Sequence, residues 1–146
     1  MAAFRSLKSP EPPSAIVNKT AVTGGDHLVC VVDDDPWVLD SLSALLGAHG
    51  FAVLTFGSGT EFLADKRRQS AGCVILDQHM PGIDGLATLA ALRHEGFVGL
   101  AILATGRADA TIAERAAALG APVTLEKPFA TGRLIELIHA NLGSVK

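Results

Sequence analysis

Asp33, Asp34 and Asp35 follow the apolar run from Leu28 to Val32, and Asp77 follows the run from Cys73 to Leu76. Thr105 and Lys127 come just after two further runs, which end at Ala104 and Leu125. If those runs lie side by side as parallel strands, at least three carboxylates, a hydroxyl and an ammonium meet at one edge of a sheet. Unit charges a few ångströms apart repel by several kcal/mol at an effective dielectric of about 20, so such a cluster either raises its pKa values or binds a cation. A hard divalent cation is the simpler answer. Mg2+ takes oxygen ligands in octahedral geometry, keeps several waters and commonly uses one or two carboxylates plus a substrate phosphate. Asp33, Asp34 and Asp77 can supply those oxygens.

The same edge suits phosphoryl transfer, which asks for an in-line nucleophile and for positive charge or hydrogen-bond donors around the transferring oxygens. Asp77 is the best nucleophile, and its attack on phosphorus gives an acyl phosphate. Thr105 and Lys127 are the donors. Each residue also has a plain structural reading. Asp35, followed by Pro36, is expected to cap a helix; Lys127 alone reads as a loop lysine, and Thr105-Gly106 as a turn. Their shared position at strand ends favours the chemical reading. His79 has no second His or Cys at ligand spacing, so its backbone carbonyl is the expected contributor rather than its ring. Arg107 lies over the pocket or points into solvent. Trp37 is expected to cover apolar helix surface, with contact to a partner protein as the other reading.

The elements that must position these residues are legible as alternating short apolar runs and longer helical patterns, the mark of repeated βα units and a mostly parallel sheet. The runs are Leu28 to Val32, Phe51 to Phe56, Cys73 to Leu76, Val98 to Ala104 and Pro122 to Leu125. Several are continuously apolar, as strands covered on both faces should be. Asp35, Ser58 with Glu61, Asp84, Asp109 and Thr131 are the expected helix starts, and Gly50, Gly96 and Gly120 mark helix ends. An open parallel sheet carries its ligand site at the carboxyl ends of its strands, where the acids, Thr105 and Lys127 stand.

The 146 residues suffice for one domain with a real core. Residues 1–26, with Pro10, Pro12 and Pro13, read as a flexible N-terminal tail without a secretory signal, and 27–146 as the folded domain. No apolar stretch reaches the ~20 residues of a membrane span, so a soluble chain is expected. The net charge of -3, with no basic run beyond Lys66-Arg67-Arg68, argues against direct nucleic-acid binding. Cys30 and Cys73 lack a CxxC partner and read as buried reduced thiols, in keeping with the cytoplasm.

Over residues 27 to 143 the chain resembles the response-regulator receiver family of two-component signalling. The resemblance rests on four pieces in order: the acidic pair after the first run, Val74-Ile75-Leu76-Asp77-Gln78-His79-Met80-Pro81-Gly82, Thr105-Gly106, and Glu126-Lys127-Pro128-Phe129. It implies an α/β fold of the flavodoxin-like (βα)5 type: a five-stranded parallel sheet of strand order 2-1-3-4-5 with helices on both faces. It implies Asp77 as phosphoacceptor, Asp33, Asp34, Asp77 and the His79 carbonyl as Mg2+ ligands, and Thr105 and Lys127 as holders of the phosphoryl group. The implied donor is a sensor histidine kinase or a histidine phosphotransfer protein, as in a phosphorelay. Family members relay the signal through the Thr105 position and an aromatic residue three places before the lysine. Here that place holds Thr124, so the face formed by the fourth helix, fifth strand and fifth helix is expected to respond through backbone or helix shifts. A homodimer through the fourth and fifth helices is compatible with this.

Other functions fit less well. Asp33-Asp34-Asp35 contains the Asp-x-Asp spacing of haloacid-dehalogenase phosphatases, but Trp37 stands where a Thr or Val usually follows and the chain has no cap domain. A flavodoxin-type carrier needs a donor-rich phosphate loop after the first strand, where three negative charges stand instead. A docking-only, non-phosphorylated module is expected to lack Asp77, Lys127 or an acid, and none is lost. No second domain is read after residue 143, so the expected output is that of a stand-alone regulator, shuttle or phosphate sink acting on an unknown downstream protein.

Overall fold

The computed structural model describes residues 27–142 apart from 108, 122 and 129. The tail expected over residues 1–26, and residues 143–146 of the expected domain, lie outside the described residues. Strands β1 (Leu28–Val32), β2 (Ala52–Phe56), β3 (Cys73–Asp77), β4 (Leu100–Thr105) and β5 (Val123–Glu126) form one sheet. All pairings are parallel and the order is β2-β1-β3-β4-β5, as expected.

Because side chains alternate across a strand, each strand contributes to two cores. Val29, Val31, Val53, Ile75, Ile102 and Leu125 pack beneath α1 (Pro36–Ala48) and α5 (Thr131–Leu142), against Leu42, Leu46, Leu134, Ile135 and Ile138. Cys30, Val32, Leu54, Val74, Leu76 and Leu103 pack on the other face. They meet Phe62 of α2 (Gly59–Ala64), Leu86, Leu89 and Leu92 of α3 (Gly85–His94), and Ala116 of α4 (Ala110–Ala118). Covering both faces is what makes the strands continuously apolar. Cys30 and Cys73 are buried free thiols on opposite faces of the sheet. Burial pushes the Cys30 thiol up to about 12 and the Cys73 thiol upward as well, so both stay protonated.

Four helix starts are as expected: the side chains of Asp35, Ser58, Asp84 and Asp109 accept from backbone N–H groups of the first turn. The Ser58–Glu61 box is not closed reciprocally, since Glu61 Oε1 accepts from the N–H of Gly57 at 3.3 Å. Thr131 is not a cap. The Ala130 carbonyl accepts from the Leu134 N–H at 3.3 Å, so Ala130 holds the cap position and Thr131 is the first helical residue. Strand four does not begin at Val98, which is 93% exposed. Gly99 crosses so close to the neighbouring loop that a β-carbon there would lie 2.7 Å from the Gly72 carbonyl oxygen, and pairing starts only at Leu100. A 3-10 helix at Lys66–Ser70 stands outside the expected elements.

At the edge of the sheet opposite the acids, Arg93 ties three segments together. Its guanidinium donates to the carbonyls of Leu119 and Gly120 after α4 and of Phe97 and Gly99 before β4, at 2.8 to 3.0 Å. Arg93→Ala is expected to cost about 2–3 kcal/mol, because several carbonyls lose a charged donor at once. A lowered urea midpoint with an unchanged slope checks this; an unchanged midpoint contradicts it.

Candidate functional site

Strand alternation carries the acids to one place. Val31 and Ile75 face α1 and α5, and two residues further along are Asp33 and Asp77; Lys127 follows Leu125 in the same way. The pairing of Val32 with Leu76 sets Asp33 level with Asp77. The sheet's hydrogen bonding runs on past the strands. Asp33 N–H donates to the Phe56 carbonyl at 3.0 Å, Gln78 N–H to Ala104 at 2.7 Å and Lys127 N–H to Thr105 at 2.7 Å. The site residues are thus fixed by the ladder rather than carried on free loops.

Lys127 Nζ lies 2.7 Å from Asp33 Oδ2 and 3.3 Å from Asp77 Oδ1. Asp33 Oδ1 accepts from the Asp35 N–H at 2.9 Å, while the Asp35 carboxylate caps α1 through the Trp37 N–H. Asp33 and Asp77 are only 3% and 5% exposed, whereas Asp34 is exposed. Asp33, Asp34 and Asp77 can each offer an oxygen within 4.8 Å of the others. Among the described residues no other group of three His, Cys, Asp or Glu side chains is so close. Three carboxylates face one ammonium, a hard-oxygen donor set that fits Mg2+ and leaves negative charge for it to offset.

Burial, and then the neighbouring Asp33 charge, push the Asp77 carboxyl above the usual carboxylate range; Lys127 and the His79 N–H only partly counter them. For Lys127, burial pulls the ammonium down, but its bond to Asp33 and the charges of Asp33 and Asp77 outweigh this and the net shift is upward.

Thr105 arrives from the other side of the sheet, since Leu103, two residues before it, packs in the core beneath α3 and α4. It is buried. Its Oγ1 donates to the Arg107 carbonyl at 3.0 Å and accepts from the Arg107 N–H at 3.2 Å. His79 is exposed. Its N–H donates to Asp77 Oδ1 at 3.4 Å, and its ring Nε2 lies 3.1 Å from Thr105 Oγ1. Arg107 is exposed and reaches Thr105 through its backbone.

Three features of this neighbourhood depart from the sequence expectations or go beyond them. Gln78, buried beside Asp77, accepts from the Leu86 N–H at 2.9 Å and donates to Asp84 Oδ2 at 3.1 Å, binding the loop after β3 to the start of α3. Gly85 permits that approach, because a β-carbon there would lie 2.6 Å from the Asp77 carbonyl oxygen. The third is Trp37, which does not cover helix surface: it is 79% exposed. With Val38, Ser41, Leu42, Lys127 and Pro128 it lines a groove of about 460 Å³ beside the acids.

A family model for the response regulator receiver domain matches residues 29–139. The transcriptional regulatory protein FixJ of Azorhizobium caulinodans is 40% identical over 115 residues, covering 79% of this chain and 54% of the relative. The chain spans about half the length of such curated relatives. Among solved structures, a CheY-like response regulator receiver domain protein from Methanospirillum hungatei superposes with a TM-score of 0.74 at 25% identity, covering 79% of this chain and 92% of that one. The BeF3-activated N-terminal receiver domain of RstA from Klebsiella pneumoniae gives 0.72 at 25% identity, covering 79% and 97%.

Proposed function

The chain belongs to the response-regulator receiver family of two-component signalling, and from that premise we propose that Asp77 accepts a phosphoryl group from a phosphohistidine of a sensor histidine kinase or histidine phosphotransfer protein. The observation that carries the reading is Lys127 Nζ standing between Asp33 and Asp77 at 2.7 and 3.3 Å, one cation among three convergent acids. An Asp77 carboxylate oxygen attacks phosphorus, the phosphorus–nitrogen bond breaks, and the histidine leaves with the electron pair. Lys127 and the Thr105 hydroxyl then meet the phosphoryl oxygens. Asp33, Asp34, Asp77 and the His79 carbonyl would hold Mg2+, which would supply charge neutralisation at the transferring group. The chain's own chemistry is limited to uptake and loss of that group on Asp77.

The exposed Trp37 groove beside Lys127 supports approach of the donor from the α1 side, in the cytoplasm where such kinases act. The output passes to a downstream protein through α4, β5 and α5, with a homodimer through α4 and α5 as one form of it. The likeness to FixJ makes transcriptional control one such output. Thr124, half-buried on β5 opposite Leu103, offers no ring to swing, so the response travels as backbone or helix shifts.

Mass spectrometry after acetyl phosphate treatment with Mg2+ tests the reading. The native chain is expected to gain one phosphoryl mass and Asp77→Asn none; an equal gain in the variant sinks the assignment.

A further inference from the structure

The Thr105 hydroxyl has three polar neighbours among the described residues. A hydroxyl carries one proton and two lone pairs. The Arg107 carbonyl can only accept, so its 3.0 Å contact takes the Thr105 proton. The Arg107 N–H, at 3.2 Å, takes one lone pair. The third described neighbour is His79 Nε2 at 3.1 Å, whose role is set by the imidazole tautomer; with the Thr105 proton on the Arg107 carbonyl, the Nε2–H tautomer completes the set by donating to the second lone pair. In that arrangement Thr105 Oγ1 has one donated and two accepted hydrogen bonds among the described residues, with its proton turned to the Arg107 carbonyl rather than to Asp77.

We propose that the His79 ring is a latch on Thr105: by donating to Oγ1 it holds the hydroxyl against the Arg107 backbone until a phosphoryl group on Asp77 competes for it. This rests on the phosphoacceptor reading and adds a residue to it. The placement of the two partners makes the competition direct. His79 belongs to the loop that follows Asp77, and its N–H donates to Asp77 Oδ1, while Thr105 closes the neighbouring strand. Phosphorylation therefore acts at both ends of the latch. His79 is a positioning residue, since it acts through Thr105. Its exposed ring makes substitution tolerable to the fold, and the side chain can be varied apart from the backbone carbonyl assigned to the metal.

The test has two readouts. In the resting protein, 15N spectra of the imidazole are expected to show a protonated Nε2 for His79, with ring signals that move in Thr105→Val; signals indifferent to that substitution overturn the latch. In acetyl phosphate and Mg2+, His79→Phe, which keeps a ring but loses the donor, is expected to raise the phosphorylated fraction at early times about three- to tenfold, the scale of one hydrogen bond no longer to be broken. His79→Gln, which restores an N–H at similar reach, returns it toward native, and His79→Phe adds nothing in a Thr105→Val background. Native uptake that His79→Phe leaves unchanged or lowers, or an equal increase in the Thr105→Val background, overturns the latch alone. A native chain that takes up no phosphoryl group sinks the phosphoacceptor reading, and the latch falls with it.

Discussion

Asp77→Asn is expected to make the folded protein more stable at neutral pH while abolishing phosphoryl uptake. Asp77 is 5% exposed and shares its surroundings with the Asp33 carboxylate, so its charge is held there at a cost. Its carboxyl titrates above the usual range when folded, which means that the native state binds this proton more tightly than the unfolded chain does. The stability linked to that proton is fully present below the ordinary carboxylate value of about 4 and is lost as pH rises through the raised folded-state value. The penalty on the native protein therefore grows as pH rises from the ordinary carboxylate value through the raised folded-state one. An asparagine of the same shape keeps an acceptor for Lys127 and for the His79 N–H without the charge. The expected gain is about 1–2 kcal/mol at pH 7, a rise of several degrees in Tm, shrinking toward zero near pH 4. Thermal melts of both proteins across that range, without divalent ions, check it. A variant less stable at pH 7, or a difference that does not vary with pH, contradicts the electrostatic account.

That a site works against the stability of its own fold is also why it is legible in the sequence. The apolar runs end abruptly in residues that no core would select, and a parallel sheet gathers strand ends at one edge. Asp33, Asp77 and Lys127 continue the two-residue rhythm of Val31, Ile75 and Leu125, so their convergence follows from alternation and register alone. The packing role expected of Trp37 fails although the contrary signal is present in the sequence. Counting four residues back from Leu46 gives Leu42 and then Val38, which is half-buried; Trp37 lies off that stripe. Thr131 imitates a cap because it is a threonine before an apolar stripe, and only the Ala130 carbonyl shows where the first helical bond begins.

The role of the His79 ring is illegible for a different reason. Its meeting with Thr105 depends on the path of the loop between β3 and α3. That path is set by the bonds of Gln78 to Asp84 and Leu86 and by the close approach at Gly85. Such contacts lie between residues of one short loop and the end of another strand, with no periodicity to announce them. Strand chemistry is legible because it repeats every second residue; loop chemistry is decided by single side chains.

Lys127→Met is expected to separate two properties that the native site sets against each other. The ammonium lies where the acids would otherwise offer their oxygens to a cation, 2.7 Å from Asp33 and 3.3 Å from Asp77. Its upward-shifted pKa keeps it charged throughout the neutral range; the stability it confers is present below the ordinary lysine value of about 10.4 and is lost only as pH rises through the raised folded-state one. Removing it leaves a buried Asp33 without its charged partner, with only the Asp35 N–H still donating to it, costing about 1–3 kcal/mol of stability in the absence of divalent ions. The same uncompensated charge should bind Mg2+ about tenfold more tightly, as one nearby positive charge no longer repels the ion, and Mg2+ should restore most of the lost stability by binding the folded state alone. Phosphoryl uptake should nevertheless fall by about 10²-fold or more, because a donor aimed at developing charge on the transferring oxygens is gone. Calorimetric Mg2+ titration beside acetyl phosphate labelling reads both. Weaker Mg2+ binding in the variant would contradict the competition between Lys127 and the ion. Uptake that survived intact would instead show that the ammonium balances the resting acids and takes no part in transfer.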